Sequence, residues 1–223
     1  MTWNIRRGGL GRRGPSDTAA LVAACAGLGA DVLGLQEVDV RVRRSGRVDQ
    51  PAAVAAGTGM AVVFGRALRL RMGGHYGNAL AVRGRLLGSE VIRLPRHRRR
   101  EPRALLVAVA SVAGMAELAV GVTHLSVDRA EALDQLGAAV ACLVPYRAPA
   151  VLLGDLNLGP EVAYGLLAAA GYTVVGGPPS YPADEPRARI DHIAVRGLVA
   201  GEVGTPAVAV SDHRPVRARI VGP

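Results

Sequence analysis

The sequence contains no lysine, so the 27 basic residues behind its formal net charge of +9 are all arginine. A phosphate-binding glycine loop that ends in lysine is thereby excluded. Aromatic residues are scarce as well, with one Trp and one Phe in 223 residues, so packing rests on Ala, Val and Leu. The same scarcity argues against single-strand binding by stacked rings. Only two cysteines occur, Cys25 and Cys142, both in apolar helical stretches. They define no disulfide framework and fit a reducing compartment, and the chain is expected to be cytoplasmic. No apolar run approaches the roughly 18 residues of a membrane span. Paired Cys/His zinc ligands and a Gly-x-Ser-x-Gly elbow are missing too, which sets aside zinc and serine hydrolases.

Half of the residues are apolar, enough for one α/β domain with a sizeable core. The arginine excess points to phosphates, nucleic acid or anionic lipid as partners, or to a compositional bias of the source. The pattern predicts strands at Thr2–Ile5, Ala30–Glu37, Met60–Phe64, Gly77–Val82, Leu86–Ile92, Ala104–Val112, Glu117–Thr123, Ala150–Leu153, Tyr172–Val175, Arg189–Val195, Val208–Val210 and Val216–Val221. Helices are expected from an N-cap at Ser16 to about Gly29, from Pro51 to Ala56, after Asp128 to Leu143, and over Glu161–Ala170. Arg93–Arg103, with six arginines, reads as an exposed loop. Hairpins alternate with strand–helix steps, which suggests two mixed sheets stacked face to face with helices outside, in a single domain over residues 1–223.

Polar residues gather at the expected strand ends: Asn4, Glu37, His124, Asp155, Asn157, Asp191, Asp212 and His213. In Gly154-Asp155-Leu156-Asn157, the i and i+2 side chains would share one face of an extended chain. Singly, each residue has a plain structural explanation: a cap, a turn, or for Asp191 a pair with Arg189. Together they suit metal-assisted phosphoester hydrolysis. Carboxylates and amide oxygens fit a hard cation such as Mg²⁺. Histidine and asparagine can donate to charge developing on phosphorus, and a carboxylate can take a proton from water.

In order along the chain, Thr2-Trp3-Asn4-Ile5, Leu35-Gln36-Glu37-Val38, Gly77-Asn78-Ala79-Leu80, Thr123-His124-Leu125, Gly154-Asp155-Leu156-Asn157, Arg189-Ile190-Asp191-His192-Ile193 and Ser211-Asp212-His213-Arg214-Pro215 resemble the motifs of the endonuclease/exonuclease/phosphatase superfamily. The resemblance implies a deoxyribonuclease-I-like, four-layer α-β-β-α sandwich of mainly antiparallel sheets, with its site across the top of both. It implies a metal-dependent hydrolase of phosphodiesters or nucleic acid. The alternatives are a lipid- or inositol-phosphate enzyme of the same fold and a non-catalytic phosphate-binding module.

On this resemblance Glu37, Asn4 and Asp212 would face Mg²⁺, or Mn²⁺ in its place. His213, oriented by Asp191, would be base or would stabilise the pentacoordinate phosphorus. Asp155 would orient or deprotonate water, Asn157 and His124 would hold non-bridging oxygens or assist the leaving group, and Asn78 would be a buried amide that fixes a loop. The histidine of Thr-His-Leu is usually lacking in abasic-site endonucleases of the family. Its presence looks more like the phosphatase, sphingomyelinase, deadenylase and lipid-remodelling branches. Arg6, Arg7, Arg12 and Arg13 would either flank the site or form a solvated loop. Fewer residues precede the Trp-Asn pair than is usual, which is compatible with an upstream start carrying a signal or membrane segment.

Overall fold

The computed structural model describes residues 1–10, 14–97, 99–112, 114–147 and 149–222. Arg12, Arg13 and Arg98, all in stretches singled out for their arginines, lie outside them. The element order is β1 (Thr2–Asn4), α1 (Thr18–Gly27), β2 (Val32–Val40), α2 (Gln50–Thr58), β3 (Ala61–Arg69), β4 (His75–Val82), β5 (Gly84–Arg93), β6 (Ala104–Val112), β7 (Met115–His124), α3 (Arg129–Leu143), β8 (Ala150–Asp155), α4 (Pro160–Ala169), β9 (Thr173–Val174), β10 (Asp191–Arg196), β11 (Val199–Gly204) and β12 (Arg217–Val221).

Two mixed sheets form, in the orders β1-β2-β4-β3 and β5-β6-β7-β8-β10-β9, with β11 and β12 as a separate ribbon. Among the described residues, only β1–β2 and β7–β8 pair in parallel within the two sheets. Period-2 alternation sorts the side chains between layers. Leu106, Ala108, Val120, Val122, Val151, Leu153 and Ile193 of the larger sheet meet Leu80 and Val82 of the smaller one. The opposite face of the larger sheet, including Leu105, Val107 and Leu152, packs on α3 and α4. Trp3, Leu33, Leu35 and Ala79 on the outer face of the smaller sheet pack on α1 and α2 through Leu21, Cys25 and Val54. Three apolar interfaces make four layers, the expected α-β-β-α sandwich. Gly34 marks one close approach of the two sheets. A Cβ there would lie 3.0 Å from Leu153 and 3.2 Å from Val122.

Several local expectations are corrected. Asp17, not Ser16, caps α1 by accepting the Ala20 N–H, while the Ser16 hydroxyl donates to the Arg7 carbonyl. Val208–Val210 forms no strand, only a bridge from Val210 to Leu10. The pattern also missed β11, which is too exposed to alternate cleanly. Asp128 caps α3 by accepting the Glu131 N–H, as expected. Glu131, however, does not return the bond to complete a capping box. Its carboxylate accepts from Ser126 Oγ at 2.7 Å and from the His97 amide at 2.9 Å, with Arg100 Nε at 3.7 Å.

Glu131 thus docks the arginine-rich loop on α3, helped by Arg100–Asp128 and His97–Asp134, each at 2.7 Å. Burial works to raise the Glu131 pKa. The Ser126 and His97 hydrogen bonds and the neighbouring positive charge outweigh it and hold the pKa below its ordinary 4.5. A depressed carboxyl pKa adds stability above the unfolded value and loses it as pH falls through the folded value. Glu131→Gln should therefore lower Tm at pH 7, and the gap to wild type should close on acidification below about pH 4.5. A gap independent of pH in thermal melts would contradict this.

Candidate active site

Strand register builds the first row of the site. His124 at the end of β7 and Asp191 at the start of β10 both lie directly beside Asp155 at the end of β8. Asn4, at the end of β1 in the other sheet, reaches across to the same carboxylate. Its Nδ2 donates to Asp155 Oδ2 at 2.9 Å. The Nε2 atoms of His124 and His213 lie 3.5 and 3.8 Å from that oxygen. His213 is set by its other nitrogen, Nδ1, 2.8 Å from Asp191 Oδ2, which also accepts from Ser180 Oγ at 2.6 Å. Its backbone is fixed in turn, since its carbonyl accepts from Trp3 Nε1 at 2.9 Å and its amide donates to Ser211 Oγ at 3.2 Å. The Tyr181 ring leans on the imidazole, with centroids 4.7 Å apart.

Glu37 arrives by a different device. It is not at a strand end but within β2, where the register with β4 slips between Leu35 and Val38. It takes φ of +56°, and such a bulge re-aims one side chain out of the pleat. Glu37 Oε1 lies 3.4 Å from Asn4 Nδ2 and Oε2 lies 3.9 Å from Arg7 Nε. Asp212 Oδ2 lies 3.6 Å from Arg6 Nε. Asn4 Oδ1 accepts the Arg6 amide at 3.0 Å, and an amide oxygen has a second lone pair to offer.

Asp155 and Asn157 are not an extended i, i+2 pair. Asn157 takes φ of +50° and donates its amide N–H to Asp155 Oδ1 at 3.1 Å, which closes an Asx turn. Its side-chain Nδ2 donates to the Leu125 carbonyl at 3.0 Å, so part of the amide is committed to the loop after β7. Asn78 lies within β4 and fixes no loop. Its Nδ2 reaches over to the Ala104 carbonyl at 2.9 Å and ties one sheet to the other. Asp191 pairs with His213 and Ser180, not with Arg189, which donates to the Tyr164 hydroxyl instead.

Burial and the negative charge of Asp191 push the Asp155 carboxyl up to about 7, against the pull of His213, Asn4 and the Asn157 amide. Burial works to lower His213, but the charge and hydrogen bond of Asp191, with Asp155 and Asp212, prevail and raise it to about 10. His124 is held well below its usual range, first by burial and then by the charges of Arg103 and His213. The row therefore combines a neutral imidazole, a charged one and a carboxyl poised between forms.

Arg103 is a correction to the exposed-loop reading of 93–103. Its side chain is only 10% exposed, and Nη1 lies 3.0 Å from Glu101. Its Nε is buried without a partner among the described residues. Ser180 and Tyr181 carry no signal in the sequence, because single hydroxyls in a proline- and glycine-rich loop have no spacing to mark them.

Ligand atoms of Asp155, Asp191 and His213 lie within 4.8 Å of one another, close enough to hold a metal ion. The chain matches the model of the Endonuclease/Exonuclease/phosphatase family over residues 1–213. The chain belongs to that family. No curated relative matches it by sequence. Among solved structures it is similar to an endonuclease/exonuclease/phosphatase from Beutenbergia cavernae, at 21% identity and TM-score 0.84, over 99% of this chain and 70% of that one. It is also similar to a mannosyl-6-phosphatase from Bacteroides thetaiotaomicron, at 14% identity and TM-score 0.77, over 99% and 98%. The human Nocturnin catalytic domain with a bound sulfate anion aligns at 17% identity and TM-score 0.76, over 99% and 93%. At these identities the likeness speaks for the family fold.

Proposed function

We propose that this chain, as one domain, is a divalent-cation-dependent phosphoester hydrolase in which water attacks phosphorus. One observation carries the reading. Asp155 Oδ2 lies at the meeting point of the two sheets, bonded to Asn4 at 2.9 Å and facing His124 and His213 at 3.5 and 3.8 Å. Glu37, Asn4 and Asp212 are the residues that fit Mg²⁺, or Mn²⁺ in its place. They offer oxygens, which a hard cation prefers, and among the described residues the Glu37 carboxylate has only long contacts, at 3.4 and 3.9 Å. The Asp155–Asp191–His213 cluster fits such a cation less well, because Asp191 Oδ2 and His213 Nδ1 are spent on each other at 2.8 Å. When bound, the cation would neutralise charge on the phosphoryl oxygens.

The chain's own residues supply the rest. Asp155 accepts a proton as the water oxygen bonds to phosphorus, and its raised pKa suits a base working near neutrality. His213, kept cationic by Asp191, donates to the oxygens on which negative charge grows, and His124 adds a neutral donor. The leaving oxygen departs with the electron pair of its bond to phosphorus and takes a proton from solvent, and Asn157 assists that departure.

A substrate panel tests the reading. It comprises bis-(p-nitrophenyl) phosphate, plasmid, single strand, abasic duplex, inositol phosphates and sphingomyelin, each with Mg²⁺ or Mn²⁺. Turnover of at least one, stopped by chelator, is expected. Turnover of none by the purified chain would overturn the proposal.

A further inference from the structure

The loop after β2 and the turn between β3 and β4 lie side by side at one end of the smaller sheet. Val40 pairs with His75 on one side and bridges to Asp49 on the other. Gly74 closes the contact, because a Cβ there would lie 2.8 Å from the Val40 and Arg41 carbonyl oxygens. The loop itself is firmly built. Arg41 and Arg47 are held in the left-handed region, with φ of +56° and +59°, as their amides donate to the Val48 and Val42 carbonyls, each at 2.8 Å. Beneath them, the Asp39 carboxylate accepts from Ser45 Oγ and from Nε and Nη2 of Arg44, each at 2.9 Å.

This frame presents a basic surface. Arg41, Arg43, Arg47 and Arg71 are all exposed. The two acids of these segments are committed elsewhere. Asp39 is buried on Arg44, and Asp49 caps α2 by accepting the Ala52 N–H at 3.1 Å. Among the arginines stand two apolar side chains. Met72 is 73% exposed in the turn that the Gly73 amide closes on the Leu70 carbonyl at 3.0 Å, and Val48 is 37% exposed.

A cluster of cations suits any phosphate-rich surface, and the apolar pair decides which. Met72 and Val48 gain nothing against a hydrated nucleic-acid backbone, whereas they are withdrawn from water at the headgroup and acyl-chain boundary of a bilayer. No ring is offered for a base to stack on, since Tyr76 of β4 is buried with the Arg44 guanidinium 5.3 Å from its centroid. We propose that this corner docks the protein on an anionic lipid surface, with the arginines on headgroup phosphates and Met72 reaching below them.

Co-sedimentation with phosphatidylcholine vesicles, with and without phosphatidylglycerol, tests the proposal. Binding, not turnover, is read, so the outcome is independent of the hydrolase reading. At low salt, wild type should bind the anionic vesicles at least about tenfold more tightly than the neutral ones, since each arginine near such a surface is worth about fivefold. Arg43→Gln/Arg71→Gln should weaken anionic-vesicle binding at least about tenfold, and Met72→Ser about threefold or more. All three side chains are exposed, so both variants should melt with wild type.

Met72→Trp adds a readout of insertion, because the one native tryptophan, Trp3, is fully buried. Brominated lipid in the anionic vesicles should quench its fluorescence. A short DNA duplex is the competing partner. No preference for anionic vesicles, vesicle binding indifferent to Met72→Ser with no quenching at position 72, or a loss in the arginine variant confined to duplex binding would each overturn the proposal.

Discussion

Asp155→Asn should lower kcat on the best panel substrate by about 10²–10⁴-fold, the range of a lost general base. Asparagine keeps the shape of the side chain, and its one oxygen keeps one of the two N–H donors that hold Asp155, Asn4 on Oδ2 at 2.9 Å or Asn157 on Oδ1 at 3.1 Å, while its NH2 faces the other. It removes the capacity to take a proton. KM should therefore change far less than kcat, because the interaction lost is one made as the water is deprotonated. A variant within fivefold of wild type would mean that the proton goes elsewhere, and His213 would be the next candidate. The geometry favours Asp155, since three nearby carboxylates hold His213 in its charged form. A charged imidazole stabilises an oxyanion better than it accepts a proton.

Glu37→Gln should cost a comparable factor for a different reason. Its carboxylate is aimed by a bulge and, among the described residues, touches the rest of the site only at 3.4 and 3.9 Å. Losing its charge weakens a hard-cation site by several kcal/mol, or about 10²–10⁴-fold in rate. The two variants separate in a binding experiment. Mn²⁺ titration followed by electron paramagnetic resonance should show near-normal affinity in Asp155→Asn and much weaker affinity in Glu37→Gln. The opposite order would exchange the roles assigned to the two carboxylates.

The sandwich and most of the row were legible because both follow from local pattern. Apolar runs such as Ala150–Leu153 read as buried strands, and an acid or histidine closing such a run marks the open edge of a sheet. What escaped the pattern depends on three-dimensional pairing. The slip that re-aims Glu37 exists only in the register of β2 against β4. The Asx turn that separates Asn157 from an extended geometry needs the Asp155 side chain as acceptor. Arginine runs mislead most, because a solvated cation and a buried one are the same letter. In 93–103, Arg100 lies over α3 while Arg103 is buried close enough to His124 to depress its pKa. In the first loop, Arg6 and Arg7 turn to the site because Ser16 and Gln50 hold the backbone.

The most direct test of the central claim is a Mg²⁺ titration of chelator-stripped protein, wild type beside Glu37→Gln, reading hydrolysis of the best panel substrate. Stripped wild type should be inactive and should recover saturably as Mg²⁺ is added, while Glu37→Gln should stay near background over the same range. Full activity without metal, or identical recovery of both proteins, would contradict it.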